Sequence, residues 1–212
     1  MSPAPKARGP RRTPRESADF RDRIIAVARQ LFVEDGFEAV SIRKIAQRAG
    51  CPPMTFYVFF KSKRALLRHI WEDVFADMLA VCGAAVAAAE GPEARLAALI
   101  RSLSLYWVAH PDNYRVVFMH QDRLTAGDEA YYVDSSAIHE RLQLVNSLIE
   151  DGVAAGVFRP VDSETAAQLV LVTLIGLAHA LITIPEYPWR QDQLLDQATD
   201  SLLRGLRADF GG

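Results

Sequence analysis

The sequence predicts an all-α fold. Apolar residues recur at helical spacing along most of its 212 residues, Pro and Gly interrupt those stretches at their ends, and no run alternates apolar and polar residues as a half-buried strand would. The expected organisation is a basic arm over residues 1–15, a small three-helix domain over 16–70 and a larger helical domain over 71–212.

The first helix starts either at the capping box Thr13-Pro14-Arg15-Glu16, with proline at the first helical position, or one turn later at Ser17. Phe20, Ile24, Val27, Ala28, Leu31 and Phe32 then share a face, and Gly36 supplies the stop. A short second helix is capped by Ser41, carries Ile42, Ile45, Ala46 and Ala49 on one side, and ends at Gly50. The Pro52-Pro53 pair opens a brief third, because proline costs least in a first turn whose N–H groups have no helical partner. Ser62 caps a long fourth helix bearing Leu66, Leu67, Ile70, Val74, Phe75 and Met78.

Past the Gly91-Pro92 break, apolar-periodic stretches run over about 93–109, 112–122, 133–154, 163–184 and 192–208. The most apolar, around residues 169–184, is interrupted by Thr173, Gly176, His179 and Thr183 and falls short of the roughly 20 residues a membrane span needs. It reads as a buried helix, with no membrane partner.

Charge is divided unevenly. Residues 1–70 carry 15 Lys and Arg against 6 Asp and Glu, whereas the remainder carries 9 against 20, although the whole chain nets only −2. Such asymmetry marks the N-terminal part for a polyanion. Cys51 and Cys82 are isolated, so neither a disulfide framework nor a zinc site is expected, and a reducing cytoplasm fits. The basic opening segment lacks the apolar run of a secretory signal. No nucleophile-elbow, phosphate-loop, dinucleotide or zinc-protease motif occurs, so no catalysis and no cofactor are expected.

A long helix, a Ser-capped short helix, a tight Gly turn and a second short helix make a helix-turn-helix on a supporting helix. Within it, FEAVSIRKIAQRAGCPPMTFYVFFKSKRALL places Ser41, Ile45-Ala46, Ala49-Gly50, Thr55-Phe56-Tyr57, Phe60, Ser62-Lys63 and Leu66 at intervals that resemble the TetR family of transcriptional regulators. The match spans about residues 18–70. The chain departs from that family at Pro52, where a Ser-like cap is usual, at Met54, and at Phe59, where His or Tyr often stands.

The resemblance implies a cytoplasmic, nucleoid-associated regulator, most simply a homodimeric repressor that leaves a palindromic operator when a small apolar or aromatic ligand binds. Its alternative is a helical ligand carrier or interaction protein that has lost operator binding. The resemblance also implies roles: Arg43 and Lys44 reach DNA, Thr55 and Tyr57 contact bases and phosphates from the recognition helix, and Lys63 binds phosphate, with Ser41, Pro53 and Met54 beside them. Phe56, Phe59 and Phe60 read instead as core.

In the larger domain an aromatic stripe with polar tips, Tyr106, Trp107, Tyr114, Phe118, Met119, His120 and Tyr132, is the expected ligand pocket. The expected dimer interface uses Leu169, Thr173, Gly176, Leu177 and Ala180, whose small members allow close helix approach. The histidines lack metal-ligand spacing, so no metal is expected.

Overall fold

The computed structural model describes residues 13–119 and 136–208, the side chains of 136–142 excepted. The chain is all-α: among the described residues there is no strand, only an isolated antiparallel bridge between Phe158 and Arg207. It divides into two compact units, Met1–Ile70 and Trp71–Gly212.

In the first unit, α1 runs Pro14–Asp35. Of the two starts open in the sequence, the capping box forms: Thr13 Oγ1 accepts from Glu16 N–H at 3.3 Å and Glu16 Oε2 accepts from Thr13 N–H at 2.7 Å. The helix therefore takes in Pro14 and Arg15, which the sequence reading placed in the arm; Lys6, Arg8, Arg11 and Arg12 lie outside the described residues. Phe20, Ile24, Ile25, Ala28, Leu31 and Phe32 form its buried face. Gly36 ends it at φ 80°, a conformation that costs residues with a Cβ, and donates to the Phe32 carbonyl at 3.1 Å.

Helix α2 (Ile42–Arg48) is capped by Ser41, whose Oγ accepts from Lys44 N–H at 3.1 Å. Gly50, at φ 74°, turns the chain into α3 (Pro53–Phe59), with Cys51 N–H closing on the Ala46 carbonyl at 2.9 Å. Helix α4 (Lys63–Ala87) starts at Ser62, whose Oγ accepts from Ala65 N–H at 3.0 Å. It gives Lys63–Ile70 to the first unit and Trp71–Ala87 to the second. Phe56 and Phe60 are buried and stack at 5.7 Å, while half-buried Phe59 meets Phe20 of α1 at 5.8 Å. Phe56 and Phe60 thus belong to the core of the small unit, which also holds the buried face of α1, Ile45 and Ala46 of α2, and Leu66, Leu67 and Ile70 of α4, while Phe59 lies at its edge.

In the second unit, α5 (Pro92–Ala109) packs against α6 (Pro111–Phe118), α7 (Ser136–Ala154), α8 (Ser163–Thr183) and α9 (Gln191–Leu206). Of the stretch expected over 112–122, the residues to Phe118 are helical and Met119 caps them, while 120–122 lie outside the described residues. The turn after α7 is pinned to the end of α9: Arg159 N–H donates to the Leu206 carbonyl at 2.8 Å, and Arg207 grips Glu93 at the start of α5 through two bonds of 2.6 and 3.0 Å.

Helix α8 corrects the sequence reading. Its 21 residues include an 18-residue window with a mean hydropathy of 2.0, yet only 28% of that window is buried within the chain. Leu169 and Val172 are 60% and 67% exposed. The helix is therefore not a buried core helix of a single copy: hydropathy reported that its surface avoids water but not what covers it.

Candidate functional site

On α3, Met54, Tyr57 and Val58 are 74%, 51% and 75% exposed. The spacing i, i+3, i+4 puts them on one face, opposite the Phe56 that anchors the helix. Thr55 beside them is half-buried, and Pro53 opens the helix in the open. A short helix that turns three bulky apolar or amphipathic side chains outward has a surface fit for methyl groups and base edges in a groove. Val58 escaped the sequence reading, although its spacing from Met54 could have found it.

Helix α2 adds cations. Arg43 is exposed, and Lys44 is exposed with its ammonium 2.8 Å from Asp35 at the end of α1. The adjacent Arg48 forms a fork with Glu34, at 2.8 and 3.3 Å. Pairs this exposed are worth at most about 1 kcal/mol, so a phosphate can take the place of either carboxylate. Ser41 spends its hydroxyl on the cap.

Lys63 is placed differently from the phosphate-facing expectation. Its ammonium turns back to donate to the carbonyls of Phe37 at 2.6 Å and Val40 at 2.9 Å, with Glu38 O at 3.5 Å, and sits 4.1 Å from the centroid of the Phe37 ring.

Within the second unit the described aromatic residues of the expected stripe meet around Trp107. Trp107, Tyr114 and Phe118 form one cluster, with Trp107 5.8 Å from Tyr114 and 5.2 Å from Phe118, and Phe75 of α4 at 6.3 Å. Tyr106 joins it edge-on to Trp107 at 5.3 Å, its hydroxyl 3.0 Å from Asp77 Oδ2 and 3.1 Å from the Val74 carbonyl. Met119 is exposed, and His120 and Tyr132 lie outside the described residues. Burial raises the Tyr114 phenol pKa above its usual value. Among the described residues no group of His, Cys, Asp and Glu could hold a metal ion.

Along α8, Thr165, Leu169, Val172, Gly176 and His179 are exposed at alternating steps of four and three, with Thr173, Leu177 and Ala180 half-buried at the edges of the stripe. Val172 was missing from the expected interface set. Between the start of α8 and the end of α9 lies a groove of about 450 Å³, lined by Val161, Thr165, Leu169, Val170, Leu202 and Leu206 among others.

Comparison with known proteins gives these surfaces their context. Residues 24–70 match the family described as bacterial regulatory proteins, tetR family, and residues 89–206 match a tetracyclin repressor-like C-terminal domain. The chain is 27% identical over 151 residues to the HTH-type transcriptional repressor KstR2 of Mycolicibacterium smegmatis, covering 70% of this chain and 72% of that protein. It is 26% identical over 156 residues to the HTH-type transcriptional repressor NicS of Pseudomonas putida, covering 73% of each. Among solved structures, the TetR family transcriptional regulator PfmR of Thermus thermophilus superposes with a TM-score of 0.70 at 26% identity, covering 88% of this chain and 97% of that one.

Proposed function

The chain belongs to the tetR family of bacterial regulatory proteins and is a DNA-binding transcriptional regulator, not an enzyme; from that premise we propose that it acts as a homodimeric repressor of a palindromic operator, released by a small apolar or aromatic ligand. The observation that carries the DNA-reading part is the outward face of α3. Met54, Tyr57 and Val58 are exposed on one face, Tyr57 resting edge-on to Phe56 at 5.6 Å, and Thr55, Arg43 and Lys44 supply hydrogen bonds and charge beside them. In this reading Thr55 and Tyr57 read bases, while Arg43 and Lys44 hold the phosphates.

The α8 stripe supports the dimer. A single recognition helix reads only a few base pairs, and two of them spaced by about one turn of DNA, 34 to 36 Å, read a palindrome. Leu169, Val172, Gly176, Leu177 and Ala180 offer an apolar face with a small residue at its centre, suited to a second copy of α8. Lipid is the poorer occupant, because Thr165, Gln168 and His179 are exposed with those residues. The work of such a regulator places it in the cytoplasm.

For the ligand, the cluster of buried Trp107 and Tyr114 with half-buried Phe118 supplies aromatic walls, and the Tyr114 hydroxyl a polar group. Helix α4, common to both units, is the route by which occupancy there would alter the spacing of the two recognition helices.

Native mass spectrometry on a duplex that the protein prefers tests this reading. Two chains per duplex is expected, and loss of DNA when a releasing ligand is added. One chain per duplex would overturn the dimer.

A further inference from the structure

We infer that Lys63 is a positioning residue that clamps the segment leading into α2 against the start of α4, and is not the phosphate contact its place in the sequence suggests. The inference rests on the DNA-reading function proposed above. It starts from a misplacement: Lys63 is the first residue of α4, where the helix dipole favours anions, and Arg64 follows it. The side chain escapes that field by turning back onto the chain between α1 and α2. Two of its three N–H groups are spent on the Phe37 and Val40 carbonyls at 2.6 and 2.9 Å, and the third leans towards Glu38 O at 3.5 Å. Its charge lies 4.1 Å from the centroid of the Phe37 ring, which is itself buried and set edge-on to Phe32 of α1 at 5.2 Å.

That segment is anchored by the buried side chains of Phe37 and Val40, but its carbonyls converge on Lys63. Its own backbone bond, from Val40 N–H to the Phe37 carbonyl, is long at 3.4 Å. The residue after Val40 is Ser41, whose hydroxyl caps α2 by accepting from Lys44 N–H at 3.1 Å, two residues before Arg43. Lys63 therefore sets where α2 begins, and through it where Arg43 and Lys44 stand. Convergent carbonyls suit a compact ammonium and not a planar guanidinium fork. A phosphate would have to displace them.

The test compares Lys63→Met and Lys63→Arg in the full chain, on a preferred duplex and on a random one, over a salt series. Clamping predicts that both variants lose about tenfold or more on the preferred duplex and far less on the random one, with an unchanged slope of log K against log salt. A phosphate-binding Lys63 would instead make Lys63→Met weaken both duplexes alike and reduce the slope by about 0.9, the share of one neutralised phosphate, while Lys63→Arg would be tolerated. A fall in thermal stability with the preference intact would make the residue merely structural. Either result overturns the inference.

Lysine modification of the wild-type protein without DNA gives a measurement that needs no variant to fold. Lys63 should react several-fold more slowly than exposed Lys61, and equal rates would refute the clamp. A wild-type protein that prefers no duplex would instead refute the proposed function, while the modification rates still report on the clamp.

Discussion

The hydroxyl of Tyr114 on α6 lies 3.3 Å from Nδ1 of His179 on α8 and 3.3 Å from the Ile175 carbonyl, so one phenol joins the aromatic cluster to the exposed helix. Burial holds that phenol pKa up. The unfolded chain then loses its proton first, near the ordinary value of about 10, and stability should fall as pH rises above it. Tyr114→Phe should flatten this alkaline decline while costing about 1 kcal/mol at neutral pH for the missing hydrogen bonds. Denaturant titrations on both sides of the tyrosine range check it; the same decline in the variant would contradict it.

Gly152 on α7 has a neighbour in the way. A Cβ there would stand 2.0 Å from Cδ2 and 2.3 Å from Cε2 of the buried Phe158 ring. Helix propensity alone would have Gly152→Ala gain up to about 1 kcal/mol, whereas overpacking costs about 1 to 3 kcal/mol. The clash should win and lower Tm. A variant melting at or above the wild type would show that the ring moves aside freely.

Val172→Arg should leave a monomer, since an unpaired guanidinium in an apolar helix contact costs several kcal/mol. Gln193→Arg, on the polar exposed face of α9, should leave assembly unchanged. Light scattering separates the two, and a dimeric Val172→Arg protein would move the interface off this stripe.

The hydrogen bond from Arg207 holds the Glu93 carboxyl below its usual value of 4.5, with burial opposing it and the Arg207 charge adding to it. As pH falls the unfolded chain takes up the proton first, so the pair's stabilisation is full above that value and is lost through the acid range below it. Both side chains are about one third exposed, at 35% and 33%, which limits the pair to under about 1 kcal/mol. Glu93→Gln should lower the urea midpoint at neutral pH and leave it nearly unchanged near pH 3. Equal losses at both would reject an ionic contribution.

The small unit was legible because its signals are local. Thr13 and Ser41 cap helices within three residues of themselves, Gly36 and Gly50 adopt the positive φ that ends α1 and α2, and Pro53 opens α3. The role of Lys63 was not legible, since its carbonyl partners lie 23 to 26 residues away in sequence and only the fold brings them together. Helix α8 misled for a related reason: Leu169 and Val172 have the same hydropathy whether a core or a second chain covers them. The polar ends of the aromatic stripe were not legible either: Tyr106 and Tyr114 both touch Trp107, yet their hydroxyls turn to different partners, Asp77 and His179.

The central claim, that paired α3 helices read duplex DNA, is tested most directly by selecting from random duplexes with the purified full chain. The enriched sequence should contain two inverted half-sites with centres about one helical turn or a multiple of it apart, and its binding should weaken steeply as salt rises. A pool that converges on no common sequence, or on one unrepeated half-site, would contradict it.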